Sequence, residues 1–171
     1  ASVGIEPSFA NWDEALEDNT QTDWALWAGA GELAVVARLW AADGVRLVDQ
    51  RLRFDGGTLT AWDVVNVAVP GSGVVPLSAT LGNGDTYRVD VPVVNAIDDI
   101  VPVRSWLSPL LVGEALAVGQ DEYYCFRARR QGALVAGVPW SFTGSANIDV
   151  QAWGNCAFVQ GVSAGAAVVT A

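Results

Sequence analysis

The sequence predicts an all-β protein built as two β-sandwich domains in tandem, residues 1–96 and 97–171. Three observations carry this. Apolar runs rich in Val, Leu and Trp recur about every 10 residues, with clusters of Gly, Asp and Asn between them, which is the rhythm of short strands joined by tight turns. The chain holds no Lys and few Glu, while Val, Trp and Gly abound; that balance suits pleated surfaces and turns better than helices. The rhythm is interrupted at Asn95–Pro102, between the Pro-flanked runs Val91-Pro92-Val93 and Val101-Pro102-Val103, and a second set of strands follows.

Taken in order, Ala1–Thr22 reads as an extended start followed by an acidic loop, in which Phe9, Trp12 and Leu16 have the spacing of a single helical turn. Leu33–Trp40 is a strand, closed by the tight-turn signal Asp43-Gly44. Val45–Phe54 resumes; its Arg51 and Arg53 alternate with Leu52 and Phe54, giving one solvated and one buried face. Asp55-Gly56-Gly57 turns the chain into Leu59–Val69, which Pro70-Gly71-Ser72-Gly73 ends. Val74–Leu81 and Thr86–Val94 flank Gly82-Asn83-Gly84-Asp85 as a hairpin. After the linker the strand pieces are Leu116–Val118, Tyr123–Arg129, Ala133–Ser141, Ile148–Ala152, Ala157–Val162 and Ala166–Ala171.

Charge and missing residue types narrow the function. The net charge is −10 and Arg is the only cation, so phosphate backbones and anionic membrane surfaces are repelled. No stretch reaches the roughly 18 apolar residues that span a bilayer, so neither nucleic-acid binding nor membrane insertion is expected. The chain starts at Ala1 with no visible signal peptide, and the expectation is a mature form whose targeting segment has been removed. Without His there is no Ser-His-Asp or Cys-His system, and without Lys no Schiff-base chemistry. Paired carboxylates remain: Glu14, Glu17, Asp18 and Asp23 cluster in sequence near Trp12, Trp24 and Trp27, as in a sugar-cleaving site. A solvated acidic loop accounts for them better, because a small sandwich offers little cleft. No catalytic residue is assigned and the chain is not expected to be an enzyme.

Eight Trp invite two readings. Trp40 and Trp140 are expected in cores. Trp12, Trp24 and Trp27, with Trp106, are candidates for a contact surface toward a protein or a surface polysaccharide, against the alternative that they too fill cores. No cofactor is expected apart from calcium, which needs several converging oxygen ligands. Asp98 and Asp99 are the leading candidates, with Asn83, Asp85 and Asp43 behind them, although no Asp-x-Asp-x-Asp-Gly loop occurs.

Cys125 lies in an early strand of the second half and Cys156 in a late one. In a reducing compartment they would be buried thiols, in an oxidising one a pair. The motifs around them, Val112-Gly113-Glu114, Val138-Pro139-Trp140-Ser141, Gly154 and Ala164-Gly165-Ala166-Ala167-Val168-Val169-Thr170-Ala171, together resemble the group 2 bacterial immunoglobulin-like family of intimin- and invasin-like adhesins. The resemblance covers residues 101–171, and the cysteine pair departs from it, since the family usually lacks one. It implies an immunoglobulin-like sandwich there, and the shared rhythm extends that expectation to the first half as two tandem immunoglobulin-like β-sandwich domains. The order Cys125, Trp140, Cys156 is analogous to an immunoglobulin core, where a buried Trp packs on an inter-sheet disulfide, so a structural disulfide is expected. The expected role is a non-enzymatic structural or adhesive module of a bacterial surface or envelope, secreted, at the cell surface or periplasmic. The rivals are a carbohydrate-binding module using exposed Trp and a subunit of a surface filament, self-associating through an edge strand.

Overall fold

A computed structural model describes residues 2–7, 23–40, 46–47, 53–55, 58–59, 64–80, 83–103 and 115–171. Among these residues the chain is all-β and contains no helix. It divides into two compact units, Ala1–Asp99 with Ala128–Val138, and Ile100–Arg127 with Pro139–Ala171. The sequence reading put one boundary at 96/97. It did not anticipate that 128–138, from the middle of the second half, would pack with the first unit.

The first unit contains β1 (Ser2–Pro7), β2 (Trp24–Trp27), β3 (Gly31–Trp40), β4 (Arg46–Leu47), β5 (Arg53–Asp55), β6 (Thr58–Leu59), β7 (Val64–Val69), β8 (Gly73–Thr80) and β9 (Thr86–Val94). One sheet has the order β1-β3-β7-β6, with β4 on β3. After β10 (Asp99–Val103) and β11 (Asp121–Arg130) comes β12 (Ala133–Ala136), and the unit's other sheet runs β12-β2-β9-β8-β5. Here β2 pairs in parallel with both neighbours, Leu134↔Trp24 through Ala136↔Leu26 on one side and Leu26↔Val93 on the other. Parallel partners need a long connection between them, and β12 meets that need because it comes from more than 100 residues downstream of β2.

Alternation explains the core. In β7, Val67 and Val69 are buried while Ala68 between them is exposed. In β8, Val75 and Leu77 are buried while Val74 and Pro76 are exposed. A period of two sends these side chains to one face. Val67 and Val69 from one sheet meet Leu26, Val75, Leu77, Val91 and Ala136 from the other in a single core. Each fully buried Leu or Val contributes about 1.5–3 kcal/mol.

A hairpin carries β12 into this unit. Arg130 pairs with Ala133 across the two-residue loop Gln131-Gly132, whose φ values of 51° and 85° are both positive. That is the type I′ signature, matched to strand twist. Gln131 holds the left-handed conformation without being Gly. Asp98 helps it do so: its Oδ2 accepts from the Gln131 backbone N–H at 2.6 Å, its Oδ1 accepts from the Arg130 guanidinium, and its own N–H donates to Arg129 O at 2.7 Å.

The second unit holds residues 121–127 of β11, then β13 (Thr143–Gly144), β14 (Ile148–Trp153), β15 (Cys156–Gly161) and β16 (Val169–Thr170). Its main sheet is β14-β15-β11, with β10 pairing β11, and β13 pairs β16 separately. Tyr124, Phe126, Phe142, Ala157 and Val159 are its buried cluster, flanked by Leu116, Trp140, Ile148, Val150 and Val169. Trp153 pairs with Cys156 across Gly154-Asn155; Gly154, with φ 58°, is the first loop residue, as a type II′ turn requires. Asn155 is buried, and its Nδ2 donates to Phe126 O at 2.9 Å while its own carbonyl accepts from Phe126 N at 3.0 Å.

Several strand expectations shorten. Ala133–Ser141 ends as strand at Ala136, because Gly137 takes φ 80° and Pro139 follows without an N–H to pair. Ala166–Ala171 contributes only Val169–Thr170, and Leu116–Val118 leads into the turn at Gly119 rather than forming a strand. The strand β2 was missed altogether. Its Trp-Ala-Leu-Trp run is too short to show a period.

Candidate functional site

The strongest chemical feature of the second unit is the pair Cys125 and Cys156, directly opposite each other on β11 and β15. The sulfurs lie at disulfide distance and the Cα atoms are 4.0 Å apart. Both side chains are buried, at 1% and 0% exposure. The inter-sheet analogy is corrected here: the two cysteines belong to neighbouring strands of one sheet. Trp140 does not pack on them as that analogy required. Its ring stacks on Phe142 at 5.9 Å and lies 6.5 Å from Phe126. Phe126 and Tyr124 flank Cys125 in sequence, so strand alternation puts Trp140 and the sulfurs on opposite faces.

The face that carries the sulfurs is set by register. Asp121, Gln160 and Asp149 form one row, Tyr123, Phe158 and Gln151 the next, and Cys125, Cys156 and Trp153 the third. Tyr123 contacts Phe158 at 5.0 Å and Trp153 at 5.3 Å between ring centroids, with both pairs tilted. Trp153 is 39% exposed. The aromatic rings share these rows with two carboxylates and two carboxamides. Sequence reasoning passed over it. Its signal was the alternation of Tyr123, Cys125, Phe158 and Cys156 at period two, with Trp153 just before the Gly154-Asn155 turn.

The residues singled out in the sequence fare differently. Trp12, Glu14, Glu17, Asp18 and Trp106 lie outside the described residues. Trp24 is half-buried against the first core, with its indole N–H enclosed. That places it with the core alternative rather than on an open platform. Trp27 is half-buried and Asp23 exposed. Of the calcium candidates, Asp98 accepts bonds at both its oxygens from the Gln131–Arg130 hairpin tip. The Gln131 N–H first, and then the Arg130 guanidinium, hold its carboxyl below the ordinary carboxylate range. Asp99 is exposed. No group of three or more acidic or sulfur ligands gathers among the described residues. Asn83 and Asp85 bond each other within their turn, Asn83 Nδ2 donating to Asp85 at 2.8 Å.

A cavity of about 350 Å³ opens in the second unit, lined by Leu116, Tyr124, Ile148, Val159 and Val169, with Asn147 and Ser163. Its polar groups serve one another. Asn147 Nδ2 donates to Ala166 O and Ser163 Oγ to Asn147 Oδ1, each at 2.8 Å, and the open wall is mixed, polar and apolar in nearly equal share.

No helix among the described residues is long and apolar enough to cross a membrane. No family model matches the chain, and no curated protein matches it. Among solved structures it is similar to the surface layer protein SbsC, domains 4–9, at 14% identity and a TM-score of 0.30. The alignment covers 99% of this chain and 29% of that one. A score that low carries neither fold detail nor role across, and the chain spans less than a third of that structure's length.

Proposed function

We propose that the chain is a non-enzymatic, exported structural or adhesive module of a bacterial surface or envelope assembly, built of two immunoglobulin-like sandwiches. The observation that supports this most is the cysteine pair, buried and directly opposed on adjacent strands. A structural staple of this kind persists in oxidising compartments and is rare where thiols are kept reduced. The absence of His and Lys from the whole chain points the same way, because it leaves carboxylates as the only strong acid–base groups, and these need a burying cleft to be tuned for catalysis. Protease treatment of intact source cells tests the reading. Loss of the chain from intact cells supports exposure at the surface, and its survival until lysis with both cysteines free in the soluble fraction defeats it.

A second reading, polysaccharide binding, is favoured by Trp153, whose ring is accessible beside Gln151 and Asp149. Sugar faces stack on such rings while amides and carboxylates take their hydroxyls. Retention on insoluble polysaccharides by the native chain, lost in Trp153→Ala, supports this reading. Equal retention of the two removes it.

A further inference from the structure

The strand β14 ends its sheet. It pairs with β15 on one side, and no strand among the described residues pairs with it on the other. The hydrogen-bond phase shows which groups point outward. Val162 N donates to Asn147 O at 2.9 Å, so that level of the ladder is a bonded pair. In an antiparallel ladder bonded and unbonded pairs alternate, and Asp149, Gln151 and Trp153 therefore direct their peptide groups at β15. Ile148, Val150 and Ala152 direct theirs outward. The Ile148 N–H is taken by Ser145 O at 3.1 Å. The Ile148 carbonyl and both groups of Val150 and Ala152 face the open side.

Soluble proteins protect such edges with charged side chains, above all Lys, with Pro, bulges or covering loops; the one charge on β14 is Asp149. The segment Ile148–Trp153 contains no Lys and no Pro, and Asp149, Gln151, Ala152 and Trp153 are all exposed. The edge also complements itself. In an antiparallel pair, opposed residues share a face, which leaves two central registers for a symmetric pairing of β14 with a second β14. Each makes four backbone hydrogen bonds. With Gln151 on the axis, the Asp149 carboxylate would stand opposite the Trp153 indole, whose π face is electronegative. With Val150 on the axis, Val150 meets Val150, Ile148 meets Ala152, and the Asp149 carboxylate meets the Gln151 carboxamide, which can donate to it.

We propose that two copies of this chain join antiparallel through β14, about a two-fold axis at Val150, extending the β14-β15-β11 sheet across the dimer. This goes beyond the proposed envelope role and does not depend on it, since it concerns only how one copy meets another. The arrangement is isologous, so it closes at two copies.

Sedimentation velocity of the oxidised full chain, from about 1 µM to about 1 mM, tests it. The expected result is a shift from monomer to dimer with concentration. Gln151→Arg places a guanidinium opposite Asp149 of the second copy, twice per dimer, and should tighten the dimer about fivefold. Gln151→Asp places like charges there and should loosen it by a similar factor. Ala152→Pro removes an outward N–H without touching the β15 ladder and should loosen it at least about tenfold. The opposite signs of the two Gln151 substitutions are specific to the Val150 register, because with Gln151 on the axis either charge would face itself. A wild type that stays monomeric throughout overturns the proposal, and so does weakening by both Gln151 substitutions. Gln151 is exposed, so both variants should fold, and their circular dichroism should match wild type. They decide the matter even where Ala152→Pro fails to fold.

Discussion

Opening the Cys125–Cys156 link should loosen the second unit far more than any surface change. The two residues are 31 apart in sequence. Closing a loop of that length removes unfolded-chain entropy equivalent to about 3–4 kcal/mol at 25 °C. Cys125 sits in the middle of β11 and Cys156 opens β15 just after the Gly154-Asn155 turn, so the lost constraint falls on the pairing of two neighbouring strands of the main sheet. Burial of both sulfurs means that reduction must wait for the sheet to open, so folded protein should resist mild reductant. After reduction in denaturant and refolding with thiols blocked, amide exchange in peptides covering β11, β14 and β15 should accelerate several-hundred-fold, which is the figure above at about 1.4 kcal/mol per decade. Peptides from β7 and β8, in the first unit, serve as the internal reference and should change little. The reasoning fails if both thiols alkylate in untreated native protein, or if the linked and reduced forms exchange alike in the second unit.

Other outcomes follow from single contacts. Because Asp98 is held below its ordinary pKa by Gln131 and Arg130, its contribution to stability is full above the unfolded carboxylate range, near 4, and is lost as pH falls through the folded value. The melting-temperature gap between wild type and Asp98→Asn should therefore close on acidification, and a gap independent of pH would refute the clasp. Gly161→Ala should destabilise the second unit by about 1–3 kcal/mol in denaturant titration, because a Cβ there would stand 2.7 Å from the Ala117 carbonyl oxygen. Trp24→Ala should cost about 3–5 kcal/mol or somewhat less for its partial burial, since the ring packs on the first core; an unchanged melting temperature would return it to the contact surface.

The sequence by itself determined the class of fold, because period-two alternation and Gly-rich turns are local signals. Leu59–Val69 and Val74–Leu81 were legible as strands from their apolar runs and the turns that bound them, but Val67-Ala68-Val69 and Val74–Leu77 are apolar throughout, so only the fold decided which of their faces is buried. The cysteine pair could be suspected from the sequence, but its geometry could not. Which strands become neighbours depends on pairings between residues far apart, and the same alternating pattern fits an inter-sheet and an in-sheet link equally well. The same reason hid the transfer of 128–138 to the first unit and the parallel docking of β2 between β12 and β9. It also hid the role of Asp98 as a clasp: only the folded chain brings it to the Gln131 N–H, 33 residues away. The aromatic face of Tyr123, Phe158 and Trp153, and the open edge at Val150, exist only once β14, β15 and β11 lie side by side, for a sheet face is a property of register and an edge is a property of what the tertiary structure leaves unpaired.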